Sequence, residues 1–327
     1  MHLIIMKILH ISYHDGCIKN LNYVQQRLSL NMHVQKVFYN YNIGYDRALS
    51  IWEDYKDYYN SFDIIIVSDT CPLSRIFLQN NYKGKLIIQI CNRFDYSDIA
   101  TNDCNFPDEN YYNLISGATD NKNVKFFSYT QFEHEYARKY KNIELGQNIL
   151  KPCGFVDECK VSLIPQHLDK SNIFFIPQYH NDSIFMNLSE KCNSLGIDNY
   201  QGRYNGPNDL IGFKGIIHIP YAWSNLALFE NWSIGNIYLI PSKDFLIQLK
   251  KLPNFFWSPP FDEELLNVSE WYCEENKNNF IYFNSWSDLS NLVNNKFLIK
   301  DKKETVLDFI KNHNNKTLAL WHKAIYE

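Results

Sequence analysis

None of the eight cysteines in this 327-residue chain forms a Cys-x-x-Cys pair or stands with histidines at metal-ligand spacing, which leaves reduced, buried thiols as the expectation. No Gly-x-Gly-x-x-Gly follows a strand and no Gly-Lys-Ser/Thr loop occurs, so the usual signatures of hydride transfer and ATP hydrolysis are missing. There is no Asp-x-Asp, the carboxylate pair that holds a divalent ion on a diphosphate. No apolar run is long enough to span a membrane, and the start, Met1 to Ser12, has no small-residue cleavage site. The expectation is a cytoplasmic protein, in which the Asn-x-Ser triplets at Asn231 and Asn267 are chance occurrences in an Asn-rich sequence. Repeats and low-complexity tracts are absent, and a net charge of −4 gives no electrostatic reason to expect nucleic acid as a partner.

What is present is a globular composition, 45% hydrophobic and 16% aromatic, long enough for two domains. Apolar β-branched runs alternate with helical periodicity from end to end, which is α/β patterning with parallel sheets. Strands are expected at Lys7 to Ser12, Val34 to Tyr39, Phe62 to Val67, Leu86 to Ile90 and Val124 to Ser128. Helices are expected at Leu21 to Leu30, after a polar loop from Tyr13 to Asn20, at Tyr45 to Tyr59, and at Gln131 to Tyr140. Lys151-Pro152-Cys153-Gly154-Phe155 punctuates the chain, and a second series opens with the strand Asn172 to Ile176 and a helix from Ser183 to Leu195 stopped by Gly196. Ile197 to Tyr204 and Phe280 to Phe283 read as further strands, Phe245 to Leu252 and Ser285 to Asn294 as helices, and Lys302 to Tyr326 as a long final helix.

The most informative stretch is Ile216 to Ser242. An apolar strand from Gly215 to Ile219 is ended by Pro220, and Ser224 is placed as the N-cap of a short helix that stops at Gly235. The strand Ile237 to Ile240 follows, closed by Pro241, with Ser242 as the next N-cap. A loop running from a parallel strand into a helix N-terminus suits a phosphate, which Ser224 and Asn225 would face. Glu230, two turns in on an apolar helix, needs hydroxyl donors, and a ribose diol supplies two.

Glu230-Asn231-Trp232-Ser233-Ile234-Gly235, followed by an apolar strand and Pro-Ser, resembles the donor site of glycosyltransferases with the GT-B fold, family 4 most of all. In that family the second of two spaced glutamates binds the donor ribose, the part that falls here to Glu230. The first glutamate, which contacts the donor sugar, would stand eight residues upstream, where this chain has Ala222. The resemblance implies two facing Rossmann-like domains with the C-terminal helix crossing back to the first. Residues 1–152 with about 302–327 would form the acceptor side, and residues 153–301 the nucleotide-sugar donor domain; Trp321 and Leu320 would pack on the first. The implied activity is metal-independent transfer of a sugar from a nucleotide-diphosphate donor to a hydroxyl acceptor on a glycan, glycoprotein or small molecule. The nucleotide sugar is then a co-substrate and no cofactor or metal is expected. The alternatives are a non-catalytic nucleotide- or sugar-binding module and a sugar-nucleotide epimerase of the same fold.

Around this reading the remaining candidates arrange themselves. His14 and Asp15, just past the first strand, are the expected catalytic base, with Asp69 and Asp95 in equivalent loops and Arg93 for an acidic substrate group. On the donor side, Tyr204 and the loop to Pro207 would border the base, Tyr221 and Trp223 would line the sugar subsite, and Arg203 or Lys214 would reach the phosphates.

Overall fold

The computed structural model describes residues 6–38, 43–95, 108–156, 161–178, 187–252, 255–258 and 260–327. The side chains of Asn92 and Arg93 lie outside that description, and so do Cys104, Cys159 and the expected helix start at Ser183. No disulfide occurs among the described cysteines, which are all buried except the partly exposed Cys273.

The first sheet contains β1 (Ile8–Ser12), β2 (Met32–Lys36), β3 (Ile64–Thr70), β4 (Lys85–Arg93) and β5 (Val124–Ser128) in the order β2-β1-β3-β4-β5. Its described strand pairs are all parallel. β3 is buried along its whole length, as its unbroken IIIV run requires. Its helices include α1 (Asp15–Leu28), α2 (Tyr45–Tyr59), α3 (Arg75–Leu78), α4 (Glu109–Thr119) and α5 (Gln131–Lys141). α1 starts six residues before the expected Leu21, because His14 caps it through a side-chain bond from the Gly16 amide and Asp15 supplies an acid in the first turn.

The second sheet repeats the plan with β6 (Phe174–Pro177), β7 (Asn199–Gly202), β8 (Gly215–Ile217), β9 (Tyr238–Pro241) and β10 (Phe280–Phe283) in the order β10-β9-β8-β6-β7, again parallel. α6 (Leu188–Ser194), α7 (Leu226–Ser233), α8 (Lys243–Leu249) and α9 (Trp286–Leu292) belong to it, and α10 (Lys296–Tyr326) closes the chain. Both sheets therefore have the doubly wound order 2-1-3-4-5, which places a ligand crevice beyond the carboxyl ends of the first and third strands of each.

Contacts sort the chain into two compact units, Met1–Cys153 with Lys316–Glu327 and Gly154–Asn315, so α10 begins in the second and ends in the first. Trp321, fully buried, packs with Ile8, Ile64, Ile66, Ile87 and Leu150 in the core of the first unit. Leu320, expected beside it, is instead 43% exposed, since it points away from the buried stripe of the helix. No helix among the described residues is long and apolar enough to cross a membrane.

Candidate functional site

In the second unit the crevice position falls at the loop 218–225 between β8 and α7. A distant segment holds this loop residue by residue. Ser258 N–H donates to the Tyr221 carbonyl at 2.6 Å, Trp271 Nε1 to the Ala222 carbonyl at 2.7 Å, and Glu270 N–H to the Trp223 carbonyl at 3.0 Å. Trp223 is not free to line a sugar subsite: it is buried, crosses Trp257 edge-on at 5.1 Å, and donates its indole N–H to the Pro260 carbonyl.

The helix start differs from the sequence expectation. Asn225, not Ser224, is the N-cap of α7, its Oδ1 accepting the Ala227 N–H at 3.0 Å. The strand ends at Ile217 rather than Ile219, so more of the connection is loop and the cap falls one residue later. Ser242 caps α8 as expected, and Gly235 takes the left-handed conformation after α7. The backbone N–H of Asn225, one of the donors expected to meet a phosphate, is already bonded at 3.1 Å to Glu270 Oε2. Glu270 is fully buried, so a carboxylate of the protein itself occupies that part of the helix dipole's positive end.

Further along α7, Glu230 lies partly exposed, and Tyr204, Tyr221 and Tyr238 share its surroundings. Burial, then the Glu230 charge, pushes the Tyr204 phenol up, with Tyr221 adding and a hydrogen bond to Asn231 opposing. Tyr238 is raised well above its ordinary value by burial, then by Tyr204, with Glu230 and Tyr221 also contributing. Asn231 ties the group to the helix, its Nδ2 donating to the Ala227 carbonyl at 2.9 Å and to Tyr238 Oη at 3.0 Å. The Tyr204 and Tyr238 phenols are held in their protonated form, and Tyr204 stands beside the Glu230 carboxylate in a form that can donate a hydrogen bond.

Arg203 is exposed beside this group and makes no ion pair among the described residues. Lys214 cannot serve the phosphates: it precedes β8, at the opposite edge of the sheet, and its Nζ donates to the Val293 carbonyl at 2.6 Å. The Tyr204 to Pro207 loop is a built turn, with Gly206 at φ 89° and the Asn205 N–H bonded to Asp209 Oδ2 at 2.7 Å. Two residues escaped sequence reasoning. His218, fully buried, stacks on Trp271 at 4.8 Å and meets Tyr221 and Tyr238 at 5.9 Å. Its place directly after a strand was the available signal. Glu270, in a segment 45 residues downstream of Asn225, gave none.

In the first unit, His14 and Asp15 lie at the carboxyl end of β1, yet both are engaged. His14 Nδ1 accepts the Gly16 N–H at 3.1 Å, which puts the proton of the neutral ring on Nε2 and makes that nitrogen a donor. Burial holds the His14 pKa down, against the Asp15 charge and with the help of Lys36. Asp15 pairs with Lys36 at 2.6 Å on the surface, and that hydrogen bond lowers its pKa. Ser12 connects the loop to β3, accepting the His14 N–H and donating to the Ser68 carbonyl, each at 3.3 Å.

Asp69 follows directly. It is 3% exposed, its φ is +87°, and the pairing with β4 shifts register after it. A left-handed aspartate inside a strand end is strained, and such strain gathers at functional sites. Its N–H donates to Cys91 Sγ at 3.4 Å, and a hydrogen bond with Cys91, then burial, and after them the Asp69 charge raise Cys17. Asp95 is a structural anchor, accepting from Tyr112 Oη at 2.7 Å and Tyr136 Oη at 2.9 Å with Lys141 at 3.4 Å. A cavity of about 560 Å³ in this unit lies along β5, between Thr119, Glu144 and Lys323, and none of the sequence-derived site residues lines it.

No family model matches the chain, and no curated protein matches it by sequence. Solved structures do resemble it. Arabidopsis thaliana UGT89C1 complexed with UDP-L-rhamnose aligns at TM-score 0.50 with 11% identity, covering 98% of each chain. The glycosyltransferase SnogD from Streptomyces nogalater aligns at 0.49 with 9% identity over 96% of this chain and 100% of its own. The DNA-modifying β-glucosyltransferase aligns at 0.46 with 12% identity over 98% and 100%. At these identities the likeness establishes the fold, two parallel α/β sheets as in GT-B structures, and it rests on the first of the three.

Proposed function

We propose that the protein is a glycosyltransferase that moves a sugar from a nucleotide-diphosphate donor to a hydroxyl acceptor without a metal ion. The observation that carries the reading is Tyr204, which stands by both Glu230 and Tyr221 beside the loop that follows β8 at a crevice position of the second sheet. A carboxylate acceptor flanked by protonated phenols matches a ribose diol, which donates two hydrogen bonds and accepts others. Ser224, the side-chain Nδ2 of Asn225 and Arg203 then serve the diphosphate, with Arg203 supplying the cation that the absent Asp-x-Asp pair would otherwise recruit as a metal.

On the acceptor side the proposed base is Asp15 or His14. His14 must first release the Gly16 amide from Nδ1 before that nitrogen can take a hydroxyl proton, whereas Asp15, paired with Lys36 through Oδ1, has its second carboxylate oxygen for the role. Isothermal titration of the full chain with a panel of nucleoside diphosphates tests the donor half. At least one should bind with and without Mg²⁺, and transfer should persist in EDTA. Failure of every nucleotide to bind, or activity lost in EDTA and restored by Mn²⁺, would overturn it.

A second reading, a nucleotide- or sugar-binding module without transfer, is favoured by two observations on the same loop. Ala222 stands where the family has its first glutamate, and the Asn225 amide is spent on Glu270. A tightly bound nucleotide sugar that is neither hydrolysed nor transferred would establish it. Conversion of the donor to an isomeric nucleotide sugar without an acceptor would mark an epimerase instead.

A further inference from the structure

Glu270 clasps the loop before α7 at two points. Its N–H donates to the Trp223 carbonyl at 3.0 Å, and two residues further on the Asn225 N–H donates back to Glu270 Oε2 at 3.1 Å. The next residue, Trp271, holds the Ala222 carbonyl through its indole N–H. Glu270 is itself fixed from behind, where Asn276 Nδ2 donates to its carbonyl at 2.9 Å and the Cys273 N–H donates to the Ser269 carbonyl at 3.0 Å. Both Glu270 and Trp271 are fully buried.

The start of α7 is thereby satisfied by the protein alone. The Ala227 N–H goes to Asn225 Oδ1, the Leu228 N–H to the Asn225 carbonyl at 3.1 Å, and the Asn225 N–H to Glu270. Amides of this kind, with the helix dipole behind them, attract an anion, and here the anion is a side chain of the chain itself. A mechanical tie between segment and loop does not require the charge. Glutamine would accept the same amide hydrogen, and it would avoid taking a carboxylate out of water.

We propose that Glu270 stands in for the donor's phosphate in the free protein, and that the nucleoside diphosphate binds by displacing it. The inference rests on the donor site proposed above, whose diphosphate meets the same helix start. Two anions side by side at one helix terminus repel, so the phosphate and the carboxylate exclude each other. Displacement frees the Asn225 N–H for a phosphate oxygen. Because the carboxylate is fully buried, it reaches water only if the hold of Glu270 on the Trp223 carbonyl opens as well. A nucleoside, which brings no phosphate, leaves Glu270 in place, so the contact regulates the site by the charge of what enters it.

Titration calorimetry of the full chain tests it, with a nucleoside and its diphosphate as probes on wild type and on Glu270→Gln, the base being whichever the nucleotide panel selects. The amide side chain competes less well for the Asn225 N–H and carries no charge, so the variant should bind the diphosphate about tenfold tighter or more, with its affinity for the nucleoside unchanged. A carboxylate with a structural role alone would give equal diphosphate affinities, or a loss shared by nucleoside and diphosphate, and either result overturns the proposal. Hydrogen exchange on the wild type needs no variant to fold. The diphosphate should raise exchange at the Glu270 amide and the nucleoside should not; unchanged exchange in the diphosphate complex overturns the proposal too. Wild-type binding of the diphosphate with no gain in the variant removes this inference and leaves the donor reading standing. Failure of both proteins to bind either probe removes the donor reading and this inference with it.

Discussion

Glu230 and Asn225 lie five residues apart on one short helix and are put to different uses. Glu230 is only partly buried on α7, so Glu230→Ala should leave the fold intact, alanine being the better helix former. Hydrogen bonds to a charged group are worth about 1.5–3 kcal/mol, and the same substitution should weaken nucleoside-diphosphate binding by roughly tenfold to a hundredfold in titration calorimetry. Asn225→Ala removes the cap and should lower stability by about 1 kcal/mol in urea unfolding, with Ser224→Ala costing less because its side chain does not cap the helix. His10 presents the residue scale in its pH dependence. It is completely buried on β1, bonded to Ser68 Oγ at 2.7 Å, and burial pulls its pKa down to about 3. The unfolded chain binds a proton there near pH 6.5 and the folded chain does not, so this contribution is complete above pH 6.5 and is lost as the pH falls towards 3. At pH 5 the loss is about 2 kcal/mol relative to neutral pH. In His10→Gln, which never charges, urea midpoints should fall less steeply between pH 7 and pH 5.

At the scale of elements, α7 is fixed from below by a glycine. A Cβ built on Gly154 would lie 2.4 Å from the Phe229 carbonyl oxygen and 2.6 Å from Ile310 Cδ1, and Asn314 bonds both the N–H and the carbonyl of Gly154, at 2.8 and 2.7 Å. Backbone cannot yield as a flexible side chain does, so Gly154→Ala should cost about 1–3 kcal/mol and shift α7, with weaker nucleotide binding as the second readout. The strands were legible beforehand because fully buried parallel strands are continuous apolar runs, as Ile64 to Val67 demonstrates. The start of α1 was not, since Gly16 and Asp15 read as loop until the His14 cap is seen. α4 was missed although Tyr111, Ile115 and Ala118 follow a helical period, and α3 was missed because four residues carry no period at all. The places of Tyr204 and Tyr221 in loops after strands were readable beforehand, whereas Glu270 reaches the α7 start from a segment of irregular turns, where no local pattern predicts a long-range contact.

Across the whole molecule, α10 contributes to both units, and the two need not unfold together. Its last turns are part of the first core: Trp321, Ala324 and Ile325 are buried there, and Lys85 Nζ donates to the Ile325 carbonyl at 3.1 Å. The Trp321 indole N–H is buried without a hydrogen-bond partner, so the ring contributes through packing and carries a polar cost. Trp321→Ala should therefore destabilise the first unit by about 3 kcal/mol or more, while Trp321→Phe, which keeps much of the ring and drops the orphan donor, should cost far less. Hydrogen exchange locates the effect. In the alanine variant, amides of β1, β3 and β4 should lose protection while those of β6, β8 and β9 retain it. Loss spread evenly over both sheets would mean that the two units unfold as one cooperative body and that the end of α10 stabilises all of it.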